Sequence, residues 1–285
     1  MSIKTIGVIG SGTMGNGIAQ VFAMYGFKVV LNDLNETIIN RGLKTIDTGL
    51  ERLIKKESIT TDQKSSILAN IKPTTELKAL ADVDIVVEAA SERLEIKADL
   101  FRRLDSICKP STLLASNTSS ISLTRIARET KRPDKVIGMH FMNPVPIMNL
   151  VEIIRALQTS EMTYQIVTDL AKSIEKTPVT VNDSVGFVSN RILMPMINEA
   201  IYTLYEGVAT AEAIDEIMKL GMGHPMGPLT LADLIGLDTC LTIMEILHEG
   251  FGHGKYNPCP LLRRMVDAGY LGRKTGRGFY VYEQK

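Results

Sequence analysis

The first thirty-three residues leave the chain few folds to adopt. Residues 4–9, KTIGVI, form a short apolar run that passes directly into Gly10-Ser11-Gly12-Thr13-Met14-Gly15. Ile18, Ala19, Val21, Phe22 and Met24 then recur at helical spacing up to Gly26, a helix stop. A second apolar run, 27–31, ends at Asn32 and Asp33. Strand, glycine turn, helix, strand and acid, in that order, make a dinucleotide-binding unit. A lone G-x-G-x-x-G is also what a plain tight turn looks like; its place between strand and helix is what gives it weight here. Gly10 permits the tight turn, Gly12 lets a pyrophosphate approach the backbone, and Gly15 lets helix and strand pack closely. The amides of the first helical turn then face the pyrophosphate. Asp33 stands where a carboxylate accepts from a ribose 2′-hydroxyl and repels a 2′-phosphate, which favours NAD over NADP. Lys28 and Asn32 beside it keep NADP open as an alternative.

Beyond Asp33 the pattern predicts helices at 36–53 and 61–70, with a basic cluster of Arg52, Lys55 and Lys56 near the end of the first. This helical pair interrupts strand–helix alternation and reads as an inserted hairpin. The cluster is either a substrate contact or a solvated helix end. Strand signals return at 84–90, 113–116, 136–141 and 150–154, with helices at 95–104 and 123–130 among them. A helix at 164–174 and a strand at 177–181 complete this region. From Gly186 onward the signal is helical: 188–205 with Pro195 inside it as a kink, then 210–220, 229–247 and 260–268, with a strand only at the terminal GFYVY. The expected architecture is α/β: a Rossmann-like domain with a helical insertion over residues 1–186, and a smaller all-helical domain over 187–285. The C-terminal helices are apolar around much of their circumference, which fits either a homodimer or one thick core.

Two apolar runs, VIGMHF and NLVEII, carry His140 and Glu152 and are joined by the turn MNPVPIM. That turn is too short for a helical crossover, so the two strands run antiparallel. A carboxylate on one can then hold the imidazole on the other, set its tautomer and stabilise its protonated form, as a general acid/base requires. The same residues also fit a satisfied polar pair with no chemistry. His224, His248 and His253 read as structural.

The 32 basic and 32 acidic residues balance, so, local basic clusters apart, overall charge gives no electrostatic case for nucleic acid as a partner. Cys108, Cys240 and Cys259 are too few and too scattered for a disulfide framework or a zinc site, and no spacing supports any metal. No charged-then-apolar leader precedes the first strand and no apolar stretch is long enough to span a bilayer, so the expectation is a cytoplasmic protein with no membrane partner.

The segments GSGTMGNGIA, SNTSSIS, GMHFMNPVPIMNLVEII, GFVSNRILMPMINEA, HPMGPLTLADLIGLD and GRKTGRGFYVY resemble the L-3-hydroxyacyl-CoA dehydrogenase family. The resemblance covers essentially the whole chain and is strongest to the bacterial 3-hydroxybutyryl-CoA branch. It implies NAD-dependent interconversion of a short-chain 3-hydroxyacyl-CoA and its 3-ketoacyl-CoA. It also implies roles. His140 matches the catalytic base and Glu152 its orienting acid; Ser119 and Asn190 match the residues that hold the substrate oxygen and the histidine. Gly10, Gly12, Met14, Asp33, Glu92, Lys97 and Asn117 match cofactor-binding positions, as do Asn143 and Lys274. Lys56 matches a contact to the CoA moiety. Met142 stands where a second phenylalanine is usual and Asn149 where lysine is common; the first bears on the acyl pocket.

The chemistry agrees with these roles, because alcohol oxidation needs a base at the hydroxyl and donors that share the developing charge. Two rivals remain. A dehydrogenase of a small free hydroxy acid needs an anion-binding arginine, for which Arg191 is the candidate. A non-catalytic NAD(H)-binding protein has no need of His140, Glu152, Ser119 and Asn190 together.

Overall fold

The runs TIGVI, IVVE, LLAS and VIGMHF are apolar almost throughout, as strands buried on both faces must be, and they form the centre of the sheet. The structure, a computed structural model, describes residues 3–283. The chain divides into two compact units, Met1–Ser184 and Val185–Lys285.

In the first unit, strand β1 (Thr5–Ile9) leads into helix α1 (Thr13–Met24) and strand β2 (Lys28–Asn32). Helices α2 (Glu36–Lys55) and α3 (Thr61–Ala69) follow, capped by Asn35 and by a Thr60/Gln63 capping box. They lead to strand β3 (Ile71–Thr74), which pairs parallel with β2. The helical pair is therefore the crossover between β2 and β3, not an interruption of the alternation. β3 escapes the sequence pattern because it is a four-residue edge strand, IKPT, containing a proline. Next come β4 (Ile85–Glu88), α4 (Leu94–Ile107), β5 (Leu113–Ser116), α5 (Leu123–Ala127) and β6 (Val136–Phe141). After these, β7 (Leu150–Arg155), α6 (Glu161–Ser173) and β8 (Thr177–Asn182) end the unit.

The eight strands form one sheet in the order β3-β2-β1-β4-β5-β6-β7-β8. The first six are parallel, β7 is antiparallel to β6, and β8 is parallel to β7. The order reverses between β1 and β4, the switch point at which a doubly wound sheet opens a crevice at its carboxyl ends. Phe22 of α1, fully buried, packs edge-on against Phe27 and Phe141 and fixes α1 to the sheet. Truncating such a side chain to alanine costs about 3–5 kcal/mol.

The second unit is helical: α7 (Ser189–Tyr205), α8 (Ala211–Met222), α9 (Pro228–Ile235), α10 (Leu237–Phe251) and α11 (Pro260–Asp267). Pro195 lies inside α7, which is one continuous helix. The single helix expected over 229–247 is two. Gly236 breaks it with φ +102°, and its N–H closes α9 on the Ala232 carbonyl. The terminal GFYVY is not a strand; it forms only isolated bridges. Its amides are taken instead by Asp233, whose carboxylate accepts from the N–H groups of Phe279 and Tyr280 and from the Tyr282 hydroxyl. Asp215 does the same for Leu229, Thr230 and the Tyr280 hydroxyl. Among the described residues, no helix is long and apolar enough to cross a membrane, and no cluster of three or more His, Cys, Asp or Glu could hold a metal.

Candidate active site

The glycine turn is where the sequence predicts it. Gly10 has φ +89°, and a Cβ there would lie 2.6 Å from the Ala89 carbonyl oxygen at the end of the neighbouring strand. A Cβ on Gly15 would reach within 1.7 Å of the Gly10 oxygen. At Gly12 a Cβ would meet no protein atom within 4 Å, so the packing of this chain does not itself demand glycine there. Gly12 is also the N-cap of α1 and gives it no side-chain cap. Open space before an uncapped helix N-terminus is what a pyrophosphate needs. Met14, in the first turn of α1, packs partly buried on the core.

Asp33 follows β2 and closes this turn from outside: Oδ2 accepts from the Ser11 N–H at 2.6 Å and Ser11 Oγ at 2.8 Å. Oδ1 accepts from the Leu34 N–H at 2.7 Å. The carboxylate that would meet a ribose thus also braces the glycine loop. An open cradle with an acid at the end of β2 fits a dinucleotide.

The segment after β5 is gathered by one acid. Glu92 Oε1 accepts from Thr118 Oγ1 at 2.5 Å, from the N–H of Ser119 at 2.9 Å and of Ser120 at 3.1 Å, and from Ser120 Oγ at 3.0 Å. Burial pushes this carboxyl up, but Lys97 and these donors outweigh it and hold it below the usual carboxylate range. Lys97, expected among the cofactor contacts, is 1 % exposed, and its amine lies 2.7 Å from Glu88 and 3.3 Å from Glu92. Asn117 donates its N–H to the Glu88 carbonyl at 2.7 Å and accepts from the Phe141 N–H at 2.9 Å, which ties this segment to the strand carrying His140.

His140 and Glu152 are directly paired in the β6/β7 ladder. Nδ1 lies 2.7 Å from Glu152 Oε2, and both residues are buried. Gly138, two residues before His140 on the same face, makes room for Ile154, into which a Cβ would run at 2.7 Å. The turn between the strands holds Asn143, exposed and joined to Pro144 by a cis peptide bond. Lys176, which the sequence pattern did not single out, fastens this turn by donating to the carbonyls of Val145 and Met148, both at 2.8 Å. Burial pushes its amine down from the ordinary lysine value.

The first unit therefore brings the glycine turn, Asp33, Glu92, Lys97, Asn117 and Ser119 to the carboxyl ends of its strands, with Asn117 bonded to the N–H of Phe141, the residue after His140. Lys56 is the exposed residue that closes α2. Asn190 and Lys274 belong to the second unit: Asn190 is buried in the first turn of α7, and Lys274 is ion-paired with both oxygens of Asp238 at 2.5 and 2.6 Å. Arg191 stacks its guanidinium on the Phe251 ring at 4.5 Å. Sequence reasoning missed Glu88. The available signal was an acid at the end of the apolar run IVVE, with a lysine nine residues later on the buried face of α4.

Comparison with known proteins agrees along the whole chain. Residues 5–184 match the NAD binding domain of 3-hydroxyacyl-CoA dehydrogenase, and residues 186–282 match the C-terminal domain of the same family. A probable 3-hydroxybutyryl-CoA dehydrogenase of Bacillus subtilis is 57 % identical over 285 residues, covering 100 % of this chain and 99 % of that one. A 3-hydroxybutyryl-CoA dehydrogenase of Bradyrhizobium diazoefficiens is 53 % identical over 98 % of this chain and 96 % of its own. The crystal structure of (S)-3-hydroxybutyryl-CoA dehydrogenase from Ralstonia eutropha superposes with a TM-score of 0.96 at 54 % identity, covering 99 % of this chain and 100 % of that one. With both family domains matched in order over nearly every residue, the chain belongs to the 3-hydroxyacyl-CoA dehydrogenase family and is an NAD-dependent oxidoreductase.

Proposed function

We propose that this enzyme interconverts a short-chain (S)-3-hydroxyacyl-CoA, 3-hydroxybutyryl-CoA above all, and its 3-ketoacyl-CoA, with His140 and Glu152 as the acid–base pair. The names of its relatives support the substrate. The buried Nδ1–carboxylate contact of 2.7 Å carries the acid–base assignment.

Bound NAD supplies the acceptor for the hydride that leaves the carbinol carbon. The chain's own residues do the rest. The uncapped α1 N-terminus and the open face of Gly12 hold the pyrophosphate, and Asp33 the ribose. With Nδ1 turned to Glu152, Nε2 is the nitrogen that takes the hydroxyl proton during oxidation and returns it during reduction. Glu152 balances the charge of the imidazolium. Ser119 shares the charge that develops on the substrate oxygen, and the family resemblance gives Asn190 the same task. Asn143 and Lys274 remain proposed cofactor contacts, and Lys56 a contact to the CoA handle. Lys97, enclosed as it is, serves the cofactor site by holding Glu92.

The same reading makes the protein a homodimer through its helical unit. That unit exposes Ile192, Leu220 and Met222 on its helices, at 66, 78 and 64 % of their surfaces, and Val208 at 71 % between α7 and α8, apolar side chains that a second copy would cover. Three reduced, buried cysteines suit the cytoplasm.

The deciding experiment is NADH oxidation with acetoacetyl-CoA, set beside free acetoacetate and beside NADPH as donor. Turnover on the thioester with NADH is expected. Turnover on the free acid alone would favour a small-acid dehydrogenase with Arg191 as its anion contact, and bound NADH without turnover would mark a binding protein.

A further inference from the structure

Glu88 ends β4 with no exposed surface, yet neither the acid–base pair nor the family resemblance gives it a task. Its carboxylate has three donors. Oε1 accepts from the Ala90 N–H and from Lys97 Nζ, both at 2.7 Å, and Oε2 accepts from Ser116 Oγ at 2.6 Å. Lys97 turns the same amine toward Glu92 Oε2 at 3.3 Å. Burying ions is repaid only where every partner is well placed. A cluster this enclosed therefore points to something that it holds in place.

What it holds is the segment 116–120, from both ends. Ser116 Oγ, oriented by its donation to Glu88, accepts from the Thr118 N–H at 3.2 Å. The Glu88 carbonyl takes the Asn117 N–H. On the far side Glu92, paired with Lys97, takes the N–H groups of Ser119 and Ser120. One route reaches Ser119 itself, whose N–H and hydroxyl both donate to Glu92 Oε1 at 2.9 and 3.3 Å, and the other ends on its neighbour Thr118.

We propose that Glu88 is a positioning residue for Ser119. Acting through Lys97 and Glu92 on one side and through Ser116 on the other, it fixes the point at which the Ser119 hydroxyl meets the substrate oxygen. This rests on the role proposed above for Ser119.

The test is a double-mutant cycle on the full-length enzyme, with kcat and KM for acetoacetyl-CoA at saturating NADH: wild type, Glu88→Gln, Ser119→Ala and both together. Glutamine keeps the volume and one acceptor, but its amide nitrogen cannot accept from Ser116 and it leaves Lys97 short of a charge partner. Glu88→Gln is expected to lower kcat about tenfold in the wild-type background and less than about twofold on top of Ser119→Ala. Equal losses in the two backgrounds would overturn the proposal, because a merely structural glutamate harms both alike. So would a single Glu88→Gln variant with wild-type kcat. A Ser119→Ala enzyme with undiminished kcat would instead overturn the reading of Ser119, and the Glu88 proposal with it. Should Glu88→Gln fail to fold, Ser116→Ala replaces it in the cycle, with an expected loss of about threefold that vanishes in the Ser119→Ala background. Equal loss in both backgrounds, or no loss in either, would again overturn the proposal.

Discussion

His140 and Glu152 face each other as register partners of an antiparallel ladder, Nδ1 to Oε2 at 2.7 Å, with both side chains buried. The contact is set by backbone pairing on both sides, so replacing either side chain leaves its partner in place. His140→Gln should lower kcat by about 10³-fold, and Glu152→Gln by about 10²-fold, with NADH affinity within twofold of wild type in both. Steady-state kinetics and a fluorescence titration of NADH check this. Equal loss of turnover and cofactor affinity would mark the pair as structural.

Asp33→Ala removes both the proposed ribose contact and the brace on Ser11. NADH affinity should fall about tenfold, in line with the loss of one charge-assisted hydrogen bond. The preference for NADH over NADPH should narrow as well, since the repulsion of a 2′-phosphate goes with the carboxylate. A competition titration with an unchanged preference would contradict the ribose assignment.

Lys56→Ala should raise KM for the CoA thioester about three- to tenfold while leaving kcat within twofold, because an interaction remote from the reacting carbon stabilises ground and transition states equally. Lys56 is exposed at the end of α2, so its removal should not disturb folding. A defect confined to kcat would remove it from the CoA site.

Asp84 links the start of the chain to the sheet. Its Oδ2 accepts from the N–H groups of Lys4 and Thr5 and from Thr5 Oγ1, and its Oδ1 from Lys109 Nζ. Burial pushes the carboxyl up, but Lys109 and the backbone donors more than reverse this and hold it at about 2. A folded value below the unfolded one stabilises above the unfolded pKa, and that stability drains away as pH falls from about 4 to about 2. Asp84→Asn should therefore lower stability by about 2 kcal/mol near neutrality. The difference in urea midpoint between variant and wild type should hold from pH 7 to 5 and shrink below pH 4. A difference independent of pH would show that the ion pair is not its source.

The nucleotide half of the site was legible because its signals are local. A glycine turn, a helix and an acid lie within one stretch of chain, and their spacing alone fixes their mutual placement. The antiparallel pairing of β6 and β7 followed from the length of MNPVPIM. Features that depend on distant partners were not legible. The break at Gly236 falls inside an unbroken apolar pattern, and GFYVY reads as a strand until Asp233 claims its amides. Edge strand β3 gave no alternation to detect. Glu88 escaped because its partners, Lys97 and Ser116, lie nine and twenty-eight residues away on other elements.

Pairing across a ladder has a parity. Gly138 lies opposite Ile154 and His140 opposite Glu152, so even-numbered residues of both strands share one face of the sheet. A slip of one residue would set His140 against Val151 or Ile153 and carry the carboxylate of Glu152 through to the other side. A slip of two would restore the face but set Glu152 diagonally from His140, too far to keep the contact of 2.7 Å. Added residues in the turn should thus be tolerated only where the loop itself takes them up and the ladder keeps its register, so the spacing of the two residues along the chain can vary while their pairing cannot.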